Sequence, residues 1–193
     1  MAKKKKSTKK NTKANKSVQP SEWNERKPVL IFAGSFLLIC LGFYLITNMA
    51  WFSSFRAPIL AVYSSISAVF LNILGYGVTA TGELLSSNAF SVSIEEGCDA
   101  IAPAILYAVS VAIFPIAWKA RWKGLLFGLL AIFVLNIIRI VTLFLTGIYV
   151  PSLFEFMHVD FWQAIFIVFT VGIWIYWMRW ASNITSSATT KTS

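Results

Sequence analysis

Charge is scarce in this sequence. Only 13% of its 193 residues are Asp, Glu, Lys or Arg, about half the share of a soluble domain. Much of that charge is crowded at one end: eight lysines fall within the first sixteen positions. The net charge of +9 is therefore a tail rather than a patch, which argues against nucleic acid and for membrane orientation or contact with anionic lipid. There is one histidine and there are two cysteines, Cys40 and Cys98. A single His and two separated thiols cannot assemble a zinc site, and they do not make a disulfide framework. No G-x-S-x-G motif, no Gly-rich phosphate loop and no facing pair of intramembrane carboxylates is present, so nothing calls for a metal or a cofactor.

What is there is apolar. Hydrophobic residues make up 57% of the chain, mean hydropathy is +0.68, and there are 16 Phe and 8 Trp. The expectation is an all-α integral membrane protein with one compact body. Residues 1–27 read as a disordered, Lys-rich cytoplasmic tail and 182–193 as a disordered Ser/Thr-rich tail. The membrane-embedded domain is then 28–181. Its first apolar run, 29–46, spans about 27 Å as a helix and reads as a retained span rather than a cleaved signal. Trp51 and Phe52 follow as an interfacial anchor. Residues 58–74 carry Ile59, Val62, Ile66, Val69, Phe70 and Ile73 at helical spacing, interrupted by Ser and Asn. Further apolar runs occupy 100–118, 124–150 and 161–178.

Between them, 75–97 is rich in Ser, Thr and Gly. Phe90-Ser91-Val92-Ser93-Ile94 alternates as a half-buried strand, with Val78-Thr79-Ala80-Thr81 as its partner. This predicts a small periplasmic β-hairpin, since an open strand edge cannot lie in lipid.

Basic residues set the topology. The lysine tail and the Lys119-Arg121-Lys123 turn belong on the cytoplasmic side. That requires four transmembrane helices, with both termini cytoplasmic, and makes 58–74 an interfacial or re-entrant helix. A full span there would place the basic turn outside.

Helix rise then gives depths. Cys98 lies 21 residues before Lys119, and His158 lies 21 residues before Arg179, each about 31 Å along a helix. Arg139 lies 16 residues beyond Lys123, about 24 Å. Cys98, Arg139 and His158 thus reach one level near the outer face. Each has a plain structural reading: a small buried thiol, as for mid-membrane Cys40; a snorkelling or ion-paired Arg; a polar end cap. Arg139 is the strongest signal, because a charge inside an apolar helix is costly and functional by default. Asn136 sits three residues earlier on the same face and is placed to orient it. Glu96 and Asp99 flank the thiol. A thiolate near a guanidinium and a helix N-terminus is a nucleophile. Arg can donate to an oxyanion, and His can protonate a leaving amine. The combination is cysteine acyl transfer.

At these residues the sequence resembles the exosortase/archaeosortase family of membrane sorting enzymes. The matching parts are Ser93-Ile94-Glu95-Glu96-Gly97-Cys98 leading into a helix, Asn136-Ile137-Ile138-Arg139-Ile140 in the next, and His158 before the last. The short chain looks most like the compact exosortase H type. The resemblance implies Cys98 as nucleophile, Arg139 as transition-state stabiliser and His158 as acid/base. It implies substrates as well: secreted proteins held by a C-terminal tail of short motif, transmembrane helix and basic end. They would be cleaved near the outer, periplasmic face of a Gram-negative inner membrane. One departure stands out. The family commonly has Ser-Gly after the Cys, and this chain has Asp99-Ala100, which sets a carboxylate beside the thiol. The competing readings are a non-catalytic scaffold, with Arg139 in a structural ion pair with Asp99 or Glu96, and a small transporter. A transporter should show inverted repeats, and none is visible.

Overall fold

The computed structural model describes residues 22–95 and 97–190. The first 21 residues of the expected N-terminal tail, Glu96 and the last three residues lie outside the described residues. Helix α1 (Glu22–Thr47) starts within the tail expected at 1–27, and the last helix, α6 (Trp162–Thr190), continues past the expected domain end at 181. Among the described residues, four helices are long and apolar enough to cross a bilayer: Val29–Thr47, Trp51–Ile73, Trp118–Tyr149 and Pro151–Asn183.

Helix α2 (Ala50–Ile73) departs from expectation in extent. It begins well before Pro58 and carries that proline inside, where the ring removes one backbone bond, to the carbonyl of Ser54. Its course is informative. Near its start Arg56 Nη1 lies 3.9 Å from Asp99 Oδ2, and just past its end the Tyr76 and Tyr149 hydroxyls are 2.8 Å apart. A 24-residue helix is about 36 Å long, whereas the rise from Arg139 to Tyr149 is about 15 Å. Helix α2 is therefore steeply inclined across the Tyr149 half of its neighbour and does not return to the Lys119 end. One face is buried (Leu60, Tyr63, Ser64, Ser67, Leu71), while Val62, Val69, Phe70 and Ile73 are exposed. Length and composition qualify α2 as a span, where an interfacial or re-entrant helix was expected at 58–74.

The extended region forms a three-stranded antiparallel sheet rather than a hairpin: β1 (Thr79–Thr81), β2 (Leu84–Ser86) and β3 (Ser91–Ser93), in the order β1-β2-β3. Strand β2 escaped the sequence reading because Glu83-Leu84-Leu85-Ser86 does not alternate. Gly82, at φ +60°, opens the two-residue turn before it, a conformation that only glycine adopts freely.

Helix α3 (Ile101–Ile113) is shorter than the expected 100–118. Pro115 forces Phe114 into extended backbone, at φ −64° and ψ 129°, and ends the helix. Helix α4 (Trp118–Tyr149) starts correspondingly early, so Lys119, Arg121 and Lys123 lie in its first turns rather than in a connection. Arg121 Nη2 reaches back to the carbonyl of Phe114, 3.1 Å. Helix α4 has 32 residues, about 48 Å, and forms the axis of the molecule.

Two cores meet along α4. One joins α2 and the sheet to Ile137, Ile140 and Phe144. The other joins α3 and α6 to Ile132 and Leu143. Small residues on α4 admit large partners: Gly124 lies under Trp177, Gly128 under Tyr107 and Gly147 under Phe90. Tyr107 Oη donates to the Gly124 carbonyl (2.8 Å) and Trp177 Nε1 to that of Ala120 (3.0 Å), so their polar atoms are satisfied in the apolar interior.

Candidate active site

The three residues placed at one depth by helix rise come together in the structure. Cys98 Sγ lies 2.6 Å from His158 Nε2, although sixty positions separate them. Arg139 holds the two segments that carry them. Its Nη1 donates to the Gly97 carbonyl at 2.8 Å and its Nη2 to the His158 carbonyl at 3.0 Å. The guanidinium is 5% exposed and lies over the Phe166 ring, 5.5 Å from its centroid. A planar fork suits this bridging, because two donors leave it in fixed directions.

Local backbone explains how Cys98 is presented. Gly97 has φ +87° and Ala100 has φ +54°, so the chain reverses on both sides of the thiol. Ala100 is the only residue other than glycine with positive φ among the described residues, and it is buried. Strain of this kind concentrates at functional sites. The family's usual glycine falls at this position. Asp99 Oδ1 accepts the N–H of Ile101 at 3.1 Å and so takes the first exposed donor of α3 for itself.

His158 is carried on a short wide-turned stretch. After α4 come a 3₁₀ turn (Pro151–Leu153), the single turn α5 (Phe154–Phe156) and a π-helical segment (Met157–Phe161), then α6. Such π segments recur at functional sites. The Phe154 ring lies 5.7 Å from the imidazole centroid at a 30° tilt, and Phe90 packs on Phe154 at 5.8 Å.

The electrostatics run against the sequence expectation of an ionised thiol. Burial pushes the Cys98 pKa above the ordinary thiol value. The Arg139 charge pulls it down, and Asp99 and Glu95 add to the rise. Burial outweighs the guanidinium, so the net direction is upward and the resting sulfur is a thiol.

Of the supporting residues, Asn136 is fully buried one turn before Arg139, and its side-chain amide makes no hydrogen bond to it. Glu96 lies outside the described residues. Cys40 is half-buried in α1 and lines a cavity of about 380 Å³ with Arg56, Gly97 and Asp99, but not Cys98 or His158. Sequence reasoning missed Arg56 and Phe154. Arg56 was detectable as the one charge between Lys27 and Glu83. Phe154 had no signal, being one aromatic among many.

One cavity contains the pair and a second ends beside the Arg139 fork. One of about 340 Å³ is walled by β3, Ile140, Leu143 and the 154–158 segment, and contains Cys98 and His158. Another of about 540 Å³ runs between α1, α3 and α6 and ends at Gly97, Arg139 and Gln163.

No curated protein and no solved structure matches this chain. The pattern that defines transmembrane exosortases matches residues 29–178. That match takes in α2, the sheet, both cores and all three converging side chains, and by it the chain belongs to the transmembrane exosortase family.

Proposed function

We propose that this protein is a membrane-embedded cysteine protease/transpeptidase that cleaves the C-terminal sorting tails of secreted proteins. The observation that carries the proposal is the 2.6 Å approach of Cys98 Sγ to His158 Nε2, held by the Arg139 fork. A nucleophile within reach of a base, with a third group fixing both, is the arrangement of covalent acyl transfer.

Because burial raises the thiol pKa, the reaction starts from the protonated sulfur. His158 Nε2 takes the thiol proton as Sγ attacks the scissile carbonyl carbon. The tetrahedral intermediate collapses as the same nitrogen protonates the leaving amine, and the C–N bond breaks to leave a thioester on Cys98. Water or an acceptor amine then attacks the thioester, and His158 accepts its proton before Cys98 leaves protonated. Arg139 commits two of its five donors to backbone carbonyls. It therefore acts first as a positioning residue, and its charge and remaining donors favour the anionic intermediate.

The membrane layout belongs to the same proposal. The protein spans the inner membrane with both termini cytoplasmic and the thiol on the periplasmic side. Exposed Ala89 and Lys119 lie on opposite sides of that layout. An impermeant maleimide should label Ala89→Cys in intact spheroplasts and Lys119→Cys only after permeabilisation; the reverse would invert the topology.

The experiment that tests the chemistry is a gel shift of a tagged reporter bearing a motif–helix–basic tail. Cys98→Ser should leave the reporter uncut in the membrane, since an alcohol is a far weaker acid than a thiol and the chain has no second His to serve it. Cys40→Ser should process it normally. Normal processing by Cys98→Ser would remove the thiol from the mechanism and leave the scaffold reading in its place.

A further inference from the structure

The sheet ends beside the reacting pair in an open edge. Strand β2 occupies one side of β3, with Leu84 opposite Ser93, Leu85 opposite Val92 and Ser86 opposite Ser91. The bonding phase is fixed at both ends: Ser87 N–H donates to the Phe90 carbonyl (2.9 Å) and Ile94 N–H to that of Glu83 (3.0 Å). Antiparallel ladders alternate, so Phe90, Val92 and Ile94 direct their backbone groups to β2. The N–H and C=O of Ser91 and Ser93 point the other way. The whole stretch 90–95, Ser91 and Ser93 included, lines the 340 Å³ cavity that contains Cys98 and His158. Ile140 and Leu143 form its apolar floor, and Phe154 and Glu155 lie on its far wall.

From this placement we propose that the acyl-donor peptide binds as a fourth strand on β3, paired to the backbone of Ser91 and Ser93, with its scissile carbonyl delivered to Cys98. The inference deepens the transpeptidase reading and rests on it. Three observations select an extended peptide as the occupant. The edge presents donors and acceptors at strand spacing, which a peptide backbone satisfies and a helix, with its own groups already bonded, does not. The nucleophile and base open into the same cavity, so the occupant must bring an acyl carbon. The cavity volume lies within the roughly 300–1,000 Å³ of ligand sites. Glu95 and Glu155 place two carboxylates at its walls, so the paired segment is neutral or basic rather than acidic. Side chains on such a strand alternate, with one set on Ile140 and Leu143 and the other facing out; main-chain pairing thus supplies affinity and the apolar floor supplies selection at every second residue.

The test labels Cys98 in the full-length Cys40→Ser protein. The probes are acetyl-tetra-alanine chloromethyl ketone, which alkylates Sγ with loss of chloride, and chloroacetamide as a small electrophile. The peptide probe should label faster. N-methylation of its amides one at a time should slow labelling with period two, each effective position costing about two- to tenfold, the range of one backbone hydrogen bond. Ser93→Pro removes an outward N–H without touching the β2 ladder, a position where an edge strand tolerates proline. It should lower the ratio of peptide to chloroacetamide labelling by a similar factor. A flat N-methyl series, or Ser93→Pro labelled by both probes at the parental rates, overturns the proposal. If Ser93→Pro slows both probes alike, the N-methyl series on the unaltered site decides. Labelling needs no cleavage. A protein that shows the period-two pattern yet leaves tail reporters uncut keeps the docking edge and loses the transpeptidase reading, and a reporter processed alongside a flat series does the reverse.

Discussion

Arg139→Lys separates the two things this side chain does. Both residues are cationic, but only Arg has a fork. In the structure the two arms end 2.8 Å and 3.0 Å from the carbonyls of Gly97 and His158. A lysine ammonium is one point on a shorter stem and can meet one of these carbonyls, not both. A hydrogen bond to a charged group is worth about 1.5–3 kcal/mol. Losing one therefore loosens either the Cys98 segment or the His158 segment by an amount equal to about ten- to a hundredfold in rate. Reporter processing by Arg139→Lys should fall by that factor with the protein still inserted. Arg139→Ala, which loses both bonds, should fall further. The charge is tested separately by the pH midpoint of Cys98 alkylation in the Cys40→Ser background. Arg139→Lys should hold that midpoint near the parent's, and Arg139→Ala should raise it, because the guanidinium pulls the thiol pKa down. A Lys variant that processes the reporter at the parental rate would show that the charge suffices and would refute the positioning argument.

Three other outcomes follow from the same geometry. The Cys98 alkylation midpoint should lie above that of an ordinary thiol, with the rate rising as pH passes through it, and Asp99→Asn should shift it downward; a midpoint below the ordinary value would mean that Arg139 and not burial dominates. Gly147→Ala drives a methyl into the Phe90 ring, which packs on Phe154 beside His158, so it should cost about 1–3 kcal/mol in detergent unfolding and reduce processing, while Gly172→Ala, with no neighbour within 4 Å, should do neither. Ala100→Gly should stabilise the protein by about 1 kcal/mol by relieving the left-handed backbone at φ +54°, seen as a higher Tm; a lower Tm would show that the methyl's packing outweighs the strain.

The site was legible because it rests on rise per residue. Cys98 lies just before α3, Arg139 within α4 and His158 just before α6, and counting from Lys119, Lys123 and Arg179 puts them at one level without knowledge of how the helices pack. What failed depended on side-chain directions and burial. The thiol pKa was expected to fall, because a guanidinium and a helix N-terminus are visible in sequence, whereas the capping of α3 by Asp99 and the enclosure of Cys98 are not. Strand β2 failed because two adjacent leucines break the period-two pattern. The limits of α3 and α4 were missed although Pro115 stood in plain view: the apolar run 100–118 continues through the proline, and hydropathy does not register backbone conformation.

Arg139 has a consequence for biogenesis. Cys98 precedes α3 and His158 follows α4, so the pair is split across two helices and neither half has its partner when it leaves the ribosome. During insertion the guanidinium enters the bilayer with no carbonyl to receive it, at a cost of about 2.5–3.5 kcal/mol on insertion scales. That cost is relieved only when the Gly97 turn and the His158 turn close on it together. The docking that makes α4 comfortable in lipid is the same docking that brings sulfur to imidazole. A half-inserted chain therefore lacks the pair, and sulfur meets imidazole only when the fold is complete.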